Sequence, residues 1–146
     1  MQIKNEKPPI YDKAKAAFDF NEKTTIFTYD GCIYNPAGIN VTLDLQAHEQ
    51  VHERQQEALH LGKFVRNGAS RWWKRYLKDA DFRFQQELEA YQEQYRFATR
   101  NIKDRNQLNE YLTSLARQLK GPMYGDLQIG GLYDVMALIR NGHKAH

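Results

Sequence analysis

The hydrophobic pattern of this 146-residue chain changes its period near residue 42, and this change limits the folds open to it. Before that point, residues 24–29 are rich in β-branched and aromatic side chains, Asp30-Gly31 fits a type I′ turn, and residues 32–34 return as a second strand. After it, apolar residues recur at steps of three and four. The sequence therefore predicts an α+β fold, with a small N-terminal β-hairpin followed by a mainly helical core.

Five helices are predicted in this core. Thr42, Ser70 and Asp104 are residue types that cap helix N-termini, and each precedes a stretch with helical spacing. The helices are expected at about residues 42–59, 70–77, 81–99, 104–120 and 131–140. Because the hairpin and the helices occupy nearly the whole chain, we expect a single domain, 1–146.

Cysteine content and hydropathy limit the cellular compartments in which the protein is expected. Cys32 is the single cysteine, so no internal disulfide can form and a reducing compartment is expected. The N-terminus has no apolar segment typical of a signal peptide, and no stretch approaches the roughly 18 apolar residues of a membrane span. We therefore expect a cytoplasmic protein without a secretion signal.

The strongest chemical signal is the H-E-x-x-H motif of His48-Glu49-Gln50-Val51-His52, which lies inside the first predicted helix. Residues four apart share one helix face at about 6 Å, so His48 and His52 can bind one Zn²⁺ ion. Glu49 is rotated by about 100° and would lie beside the metal as a general base. The alternative is two unrelated histidines around a solvated glutamate. We favour the metal site because both histidines fall on the apolar face.

A catalytic zinc site needs a third protein ligand, and the other histidines fit poorly. His60 lies eight residues beyond His52, too far along a helix to share the ion. Ala58 stands where the metzincin spacing places its third histidine. His143 and His146 lie in a polar tail, where exposure is expected.

Glu87 is the better candidate for the third ligand. It lies between Phe84 and Tyr91 in the apolar stripe of the third predicted helix, where an unpaired charge is costly. A divalent cation would balance this charge, and a salt bridge to an arginine is the alternative. Glu89 should face solvent.

These motifs resemble the gluzincin branch of the zincin metallopeptidases, in which H-E-x-x-H is followed on a later helix by an E-x-x-A-D type pattern. Residues 87–90, Glu-Leu-Glu-Ala, match that pattern. The resemblance implies that His48, His52 and Glu87 are zinc ligands and that Glu49 is the base. Tyr91 stands where those enzymes often carry an aspartate that orients a histidine ligand, so an orienting carboxylate must come from elsewhere or be absent.

The chain also resembles small zincin-like proteins encoded by bacteriophages and prophages. The shared features lie at residues 33–36, 48–56, 72–91 and 121–125. This resemblance implies a zincin-like core, a location in the host cytoplasm or the virion, and other phage proteins as partners.

The expected activity is zinc-dependent hydrolysis of a peptide bond in a peptide or protein substrate. Gluzincins commonly supply a tyrosine or histidine that stabilises the oxyanion, and Tyr124 is the candidate here, with a core tyrosine as the alternative. The hairpin would offer an edge strand to an extended peptide. The alternative function is a virion or assembly protein that keeps the metal-bound fold with little or no peptidase activity.

Residues 61–78 hold six basic side chains and no acidic one, against a net charge of +3 for the whole chain. Basic residues interleaved with aromatic ones are typical of nucleic-acid binding. The helical spacing of Trp72, Trp73 and Tyr76 instead predicts core packing with a solvated basic face, so nucleic acid is not an expected partner. We expect this charge to lie near the mouth of the metal site, where it would select an acidic substrate.

Overall fold

A computed structural model of the chain describes residues 1–142, so the expectation for His143 and His146 lies outside the described residues. Within this range the chain has the predicted α+β fold, with a small sheet and six α-helices around an aromatic-rich core. No helix in residues 1–142 combines the length and apolarity needed to cross a membrane.

The sheet contains three short strands in the order β1-β3-β2. They are β1 (Gln2–Lys4), β2 (Phe27–Tyr29) and β3 (Cys32–Tyr34). β2 and β3 form the predicted hairpin, and Asp30 and Gly31 have φ angles of 47° and 81°, as a type I′ turn requires. β1, which no sequence pattern predicts, pairs with β3 in parallel.

The turn determines which atoms of β2 face the helices. Tyr29 and Cys32, which flank the two-residue turn, exchange backbone hydrogen bonds, so Thr28, one position further from the turn, directs its carbonyl group away from β3. That oxygen accepts hydrogen bonds from Trp73 Nε1 at 2.9 Å and from Gln56 Nε2 at 2.8 Å. The edge of the sheet is thereby attached to two helices.

The helices follow nearly the predicted order. They are α1 (Tyr11–Ala17), α2 (Leu43–Glu57), α3 (Gly68–Lys78), α4 (Ala80–Thr99), α5 (Arg105–Lys120) and α6 (Leu132–Asn141). A short 3₁₀ turn, Pro122–Tyr124, follows α5. α1 is not predicted from the sequence, because its seven residues are too few to display a helical period.

The predicted N-caps agree with the structure only in part. Asp104 caps α5 as predicted, by accepting a hydrogen bond from a backbone N–H at 2.9 Å. Thr42 occupies the N-cap position of α2, but its hydroxyl donates to the Asp44 carboxylate and accepts no backbone hydrogen bond. Ser70 is not a cap, because α3 begins at Gly68 and Asn67 occupies its N-cap position.

α3 begins in close contact with the end of α2. The Gly68 N–H donates to His60 Nδ1 at 2.8 Å, and a Cβ atom on residue 68 would lie 1.8 Å from the backbone oxygen of Gln56. Only glycine fits this approach. The inner face of α3 buries its aromatic residues, which confirms their predicted core packing: Trp72, Trp73 and Tyr76.

α2 and α4 pack along each other and form the frame of the site, while α5 and α6 pack against α4 and against one another. His48 and His52 of α2 and Glu87 of α4 are buried where the two helices meet. Three ionisable side chains in such a place need partners, because burial without partners is costly.

Candidate metal centre

The paired helices bring the three predicted ligands into one buried group. His48 Nε2 and His52 Nε2 lie 3.2 Å apart, as expected for residues one turn apart on α2. Glu87 Oε1 lies 3.2 Å from His48 Nε2, and Glu87 Oε2 lies 3.3 Å from His52 Nε2. These three side chains can hold a metal ion.

The separations fit a tetrahedral ion. Ligand atoms at the usual zinc distances of about 2.0–2.1 Å lie about 3.3 Å apart along the edges of a tetrahedron. The three contacts are 3.2–3.3 Å, although the two histidines contact different oxygens of Glu87, so the side chains lie close to the spacing of ligands around a small divalent metal.

Two glutamines direct the lone pairs of the histidines toward this point. Gln94 Oε1 lies 2.9 Å from His48 Nδ1, and Gln55 Oε1 lies 2.9 Å from His52 Nδ1. The Gln55 amide is fixed in this orientation because its Nε2 donates to the Gln86 backbone oxygen at 3.1 Å. Since amide oxygens only accept hydrogen bonds, both Nδ1 atoms carry the proton, and both Nε2 lone pairs face Glu87. A cation is the natural occupant.

Neither glutamine is among the site residues predicted from the sequence. Gln55 follows His52 by three residues and Gln94 follows Glu87 by seven, so each lies on the same helix face as a ligand. That spacing is the signal that would have found them. They supply the acceptors that orient the two histidines, while the Tyr91 ring packs edge-on against His48.

Without a metal, the three groups stabilise each other as an ion pair. Burial by itself raises the pKa of Glu87, but His52 and His48 reverse this effect and hold it well below its usual value. Burial lowers the pKa of His52, but Glu87 more than offsets this and raises it to about 9. A bound cation would replace the proton that His52 otherwise holds.

The alternative of an arginine partner for Glu87 does not hold in the described part of the chain. Arg83 is buried one turn earlier on α4, but its guanidinium donates to the backbone oxygens of Tyr124 at 2.9 Å and Tyr76 at 2.7 Å. The hydroxyl group of Tyr76 instead donates to Glu87 Oε2 at 2.6 Å.

Glu49 lies beside the ligand group and next to open space. It is buried, and the Thr28 hydroxyl group of β2 donates to its Oε2 at 2.6 Å. It lines a small cavity of about 50 Å³ together with His48, His52 and Glu87. It also lines a cleft of about 740 Å³, into which His48 faces as well.

Tyr124 lies in the wall of both cavities. Its hydroxyl group is 2.7 Å from the Tyr91 hydroxyl group, which places the two phenols in one hydrogen-bonded pair beside His48. Burial raises the pKa of Tyr124 well above its usual value, so the side chain is a neutral phenol.

The remaining candidates from the sequence lie away from the metal centre. His60 accepts the Gly68 N–H described above and has a structural role. The basic side chains of α3 line a separate shallow groove: Arg71, Lys74, Arg75 and Lys78. No residue of 61–78 lines the cleft, so the expectation that this charge lies at the mouth of the site is wrong. The aromatic residues of α3 face the core, and its basic residues lie on the opposite face of the helix.

No protein-family model, curated protein or solved structure matches this chain. The fold and the site define the class of this protein. It is an α+β protein with a buried His-His-Glu group on two packed helices, and this group can hold a metal ion.

Proposed function

We propose that the chain is a zinc-dependent metallopeptidase of the gluzincin type, related to small phage-encoded zincin-like proteins. The observation that carries this proposal is the convergence of His48, His52 and Glu87, with the Glu49 carboxylate beside them at the edge of a cleft. The H-E-x-x-H motif and the later glutamate predict this convergence, which supports the proposal.

Zinc is the metal that these ligands fit best. Two imidazoles and one carboxylate are a common zinc donor set, and three protein ligands leave a fourth position open. The adjoining cavity of about 50 Å³ is large enough for water. A closed structural site would instead use a fourth protein ligand.

A zinc ion held by His48, His52 and Glu87 would supply Lewis acidity to a water molecule and to a peptide carbonyl group. In the proposed mechanism Glu49 would accept the proton of the attacking water and return it to the departing amine. The hydrogen bond from Thr28 holds Glu49 Oε2 and leaves the other carboxylate oxygen free for this transfer. Gln94 and Gln55 keep the histidine Nε2 lone pairs directed at the ion.

The cleft is the proposed substrate site. Its volume of about 740 Å³ accommodates several residues of an extended peptide, and its lining is largely apolar. Thr24, Thr25 and Ile26, which directly precede β2, lie in its wall, so the peptide would run beside this segment and not along β2 itself, whose outer edge is attached to α2 and α3. The charged side chains in its wall are Asp19, Glu49, Glu110 and Arg117. This balance favours a neutral or basic peptide over the acidic substrate expected from residues 61–78.

Tyr124 is the proposed hydrogen-bond donor to the oxyanion. Its neutral hydroxyl group shares the wall of the cleft with His48 and Glu49, and the partner hydroxyl of Tyr91 fixes its position. A preorganised donor of this kind stabilises the charge that develops on the carbonyl oxygen.

Metal analysis and cleavage of a mixed peptide library test the proposal together. We expect about one zinc ion per chain in the wild type and loss of the metal in His48→Ala. We expect cleavage by the wild type and none by Glu49→Gln, which keeps the metal. The matched control is Glu89→Gln, a change on α4 that leaves the metal ligands and the cleft untouched and should cleave like the wild type.

The outcomes separate the two functions considered from the sequence. If protein prepared with excess zinc holds no metal, the result contradicts both functions, because each of them requires a bound metal. Bound zinc with equal inactivity of the wild type and Glu49→Gln favours the virion or assembly protein. A wild type that cleaves peptides while Glu49→Gln does not supports the peptidase.

A further inference from the structure

His48 is connected to a carboxylate by three consecutive hydrogen bonds. Its Nδ1 lies 2.9 Å from Gln94 Oε1, and Gln94 Nε2 donates to the Tyr111 hydroxyl group at 3.0 Å. That hydroxyl group donates to Asp44, which also accepts the Thr42 hydroxyl group. The series starts and ends on α2, one turn apart, and passes through α4 and α5.

The direction of every hydrogen bond in this series is set by its last member. Burial raises the pKa of Asp44, but the hydrogen bonds from Thr42 and Tyr111 reverse this effect and hold it below its usual value, so the carboxylate only accepts. The single Tyr111 proton must point to Asp44, and the phenol oxygen can then only accept from Gln94. The Gln94 amide is thereby oriented with its oxygen toward His48, which must donate from Nδ1.

We propose that Asp44, acting through Tyr111 and Gln94, is the positioning carboxylate of the metal centre. The inference deepens the proposed function and rests on its metal site. Asp44 fixes the tautomer of His48 at a distance and keeps the Nε2 lone pair available for the metal. The carboxylate that has no counterpart at Tyr91 is therefore present, but two bridging side chains away from the histidine.

The route through α5 has a structural consequence. Tyr111 belongs to the helix that forms one wall of the cleft, through Glu110, Ser114 and Arg117. The hydrogen-bond series ties that wall to α2 and α4 at the level of the ligands. Metal affinity therefore depends on the position of α5 relative to α2 and α4.

Zinc affinity of the full chain, measured by competition with a chromophoric chelator, tests the inference. We expect Gln94→Leu to bind zinc about 10–100-fold more weakly, and Tyr111→Phe and Asp44→Asn about tenfold more weakly. Tyr111→Phe keeps all charges and breaks the series, so it separates positioning from simple electrostatic attraction. The double variant Asp44→Asn/Tyr111→Phe should bind no more weakly than either single one, because the series acts as a unit.

A rescue variant distinguishes positioning from a merely structural role. Gln94→Glu combined with Asp44→Asn moves the carboxylate next to His48 at constant charge, and zinc affinity should return to the wild-type level or exceed it. Tyr133→Phe, at an 83 % exposed side chain on α6, is the control and should bind like the wild type. Thermal unfolding of each metal-free variant measures any loss of folding separately.

The possible results distinguish a failure of this inference from a failure of the proposed function. A wild type that binds no zinc overturns this inference together with the proposed function. A wild type that binds zinc, with Tyr111→Phe and Asp44→Asn equal to it, overturns the inference alone. Failure of the rescue variant, when its metal-free form unfolds like the wild type, also overturns it.

Discussion

Metal binding to this centre should release a proton from His52 and should strengthen with pH. In the metal-free protein, burial opposes the charged form of His52, but Glu87 more than compensates and raises its pKa to about 9. A metal ligand must be deprotonated at the coordinating nitrogen. The ion and the proton therefore compete for the same atom, Nε2, which lies 3.3 Å from Glu87 Oε2.

The size of this competition follows from the pKa of His52. With a pKa of about 9, roughly one molecule in 100 has His52 deprotonated at pH 7. The apparent affinity should therefore be about 100-fold weaker at pH 7 than above pH 9, or about 2.7 kcal/mol, and should rise about tenfold per pH unit in between.

The raised pKa of His52 has the opposite effect on the stability of the metal-free protein, which falls as the pH rises. Because the folded-state pKa of His52 is raised, its contribution to the free energy of unfolding is fully present below pH 6.5 and is lost as the pH rises through about 9. Glu87, whose pKa is lowered, contributes above its usual pKa and loses this contribution at strongly acidic pH. Zinc should thus stabilise the protein most where the ion pair stabilises it least.

Calorimetric zinc titrations at pH 6.5, 7.5 and 8.5, each in two buffers of different ionisation enthalpy, measure the affinity and the number of protons released. We expect about one proton per ion at pH 7.5. Thermal unfolding of the metal-free protein over the same pH range measures the second effect. An affinity that stays constant between pH 6.5 and 8.5, with no proton release, would refute the reasoning.

Three further substitutions test separate parts of the structure. Gly68→Ala should lower the free energy of unfolding by about 2 kcal/mol in urea, because its Cβ would lie 1.8 Å from a backbone oxygen of α2, while Gly62→Ala, with no atom within 4 Å, should change little. Thr28→Val should lower kcat about tenfold at unchanged zinc affinity by releasing Glu49, and Thr28→Ser should restore it; equal kcat of both variants would contradict this. Tyr124→Phe should lower kcat about 10²–10³-fold at unchanged zinc affinity, and a wild-type kcat would remove Tyr124 from the oxyanion site.

The ligand group could be predicted from the sequence because its information is local. H-E-x-x-H places two imidazoles on one face of α2 by helix geometry alone. Glu87 is recognisable because a carboxylate in an apolar stripe needs a partner. The hairpin follows in the same way from Asp30-Gly31, whose positive φ angles need no tertiary contact.

The parts that could not be predicted depend on contacts between distant segments. β1 has three residues and is defined only by its pairing with β3, which lies about thirty residues away along the chain. Tyr111 and Asp44 are 67 residues apart, and nothing in either local sequence indicates that the two side chains meet. The position of residues 61–78 between the ligand helices predicts that their charge lies at the mouth of the site, but the rotation of α3 about its own axis places its four basic side chains in a separate groove.

Placing the carboxylate at Asp44 changes the electrostatics of the centre. A carboxylate bonded directly to His48 would add a negative charge beside the ligands, whereas Gln94 and Gln55 are neutral. The charge of a divalent ion would then be offset among the ligands by Glu87 alone. Such a centre binds its metal less tightly than one with carboxylates on both histidines, but it leaves the ion more electrophilic. Asp44 can fix the tautomer from a distance because a series of hydrogen bonds transmits direction without bringing its charge to the metal.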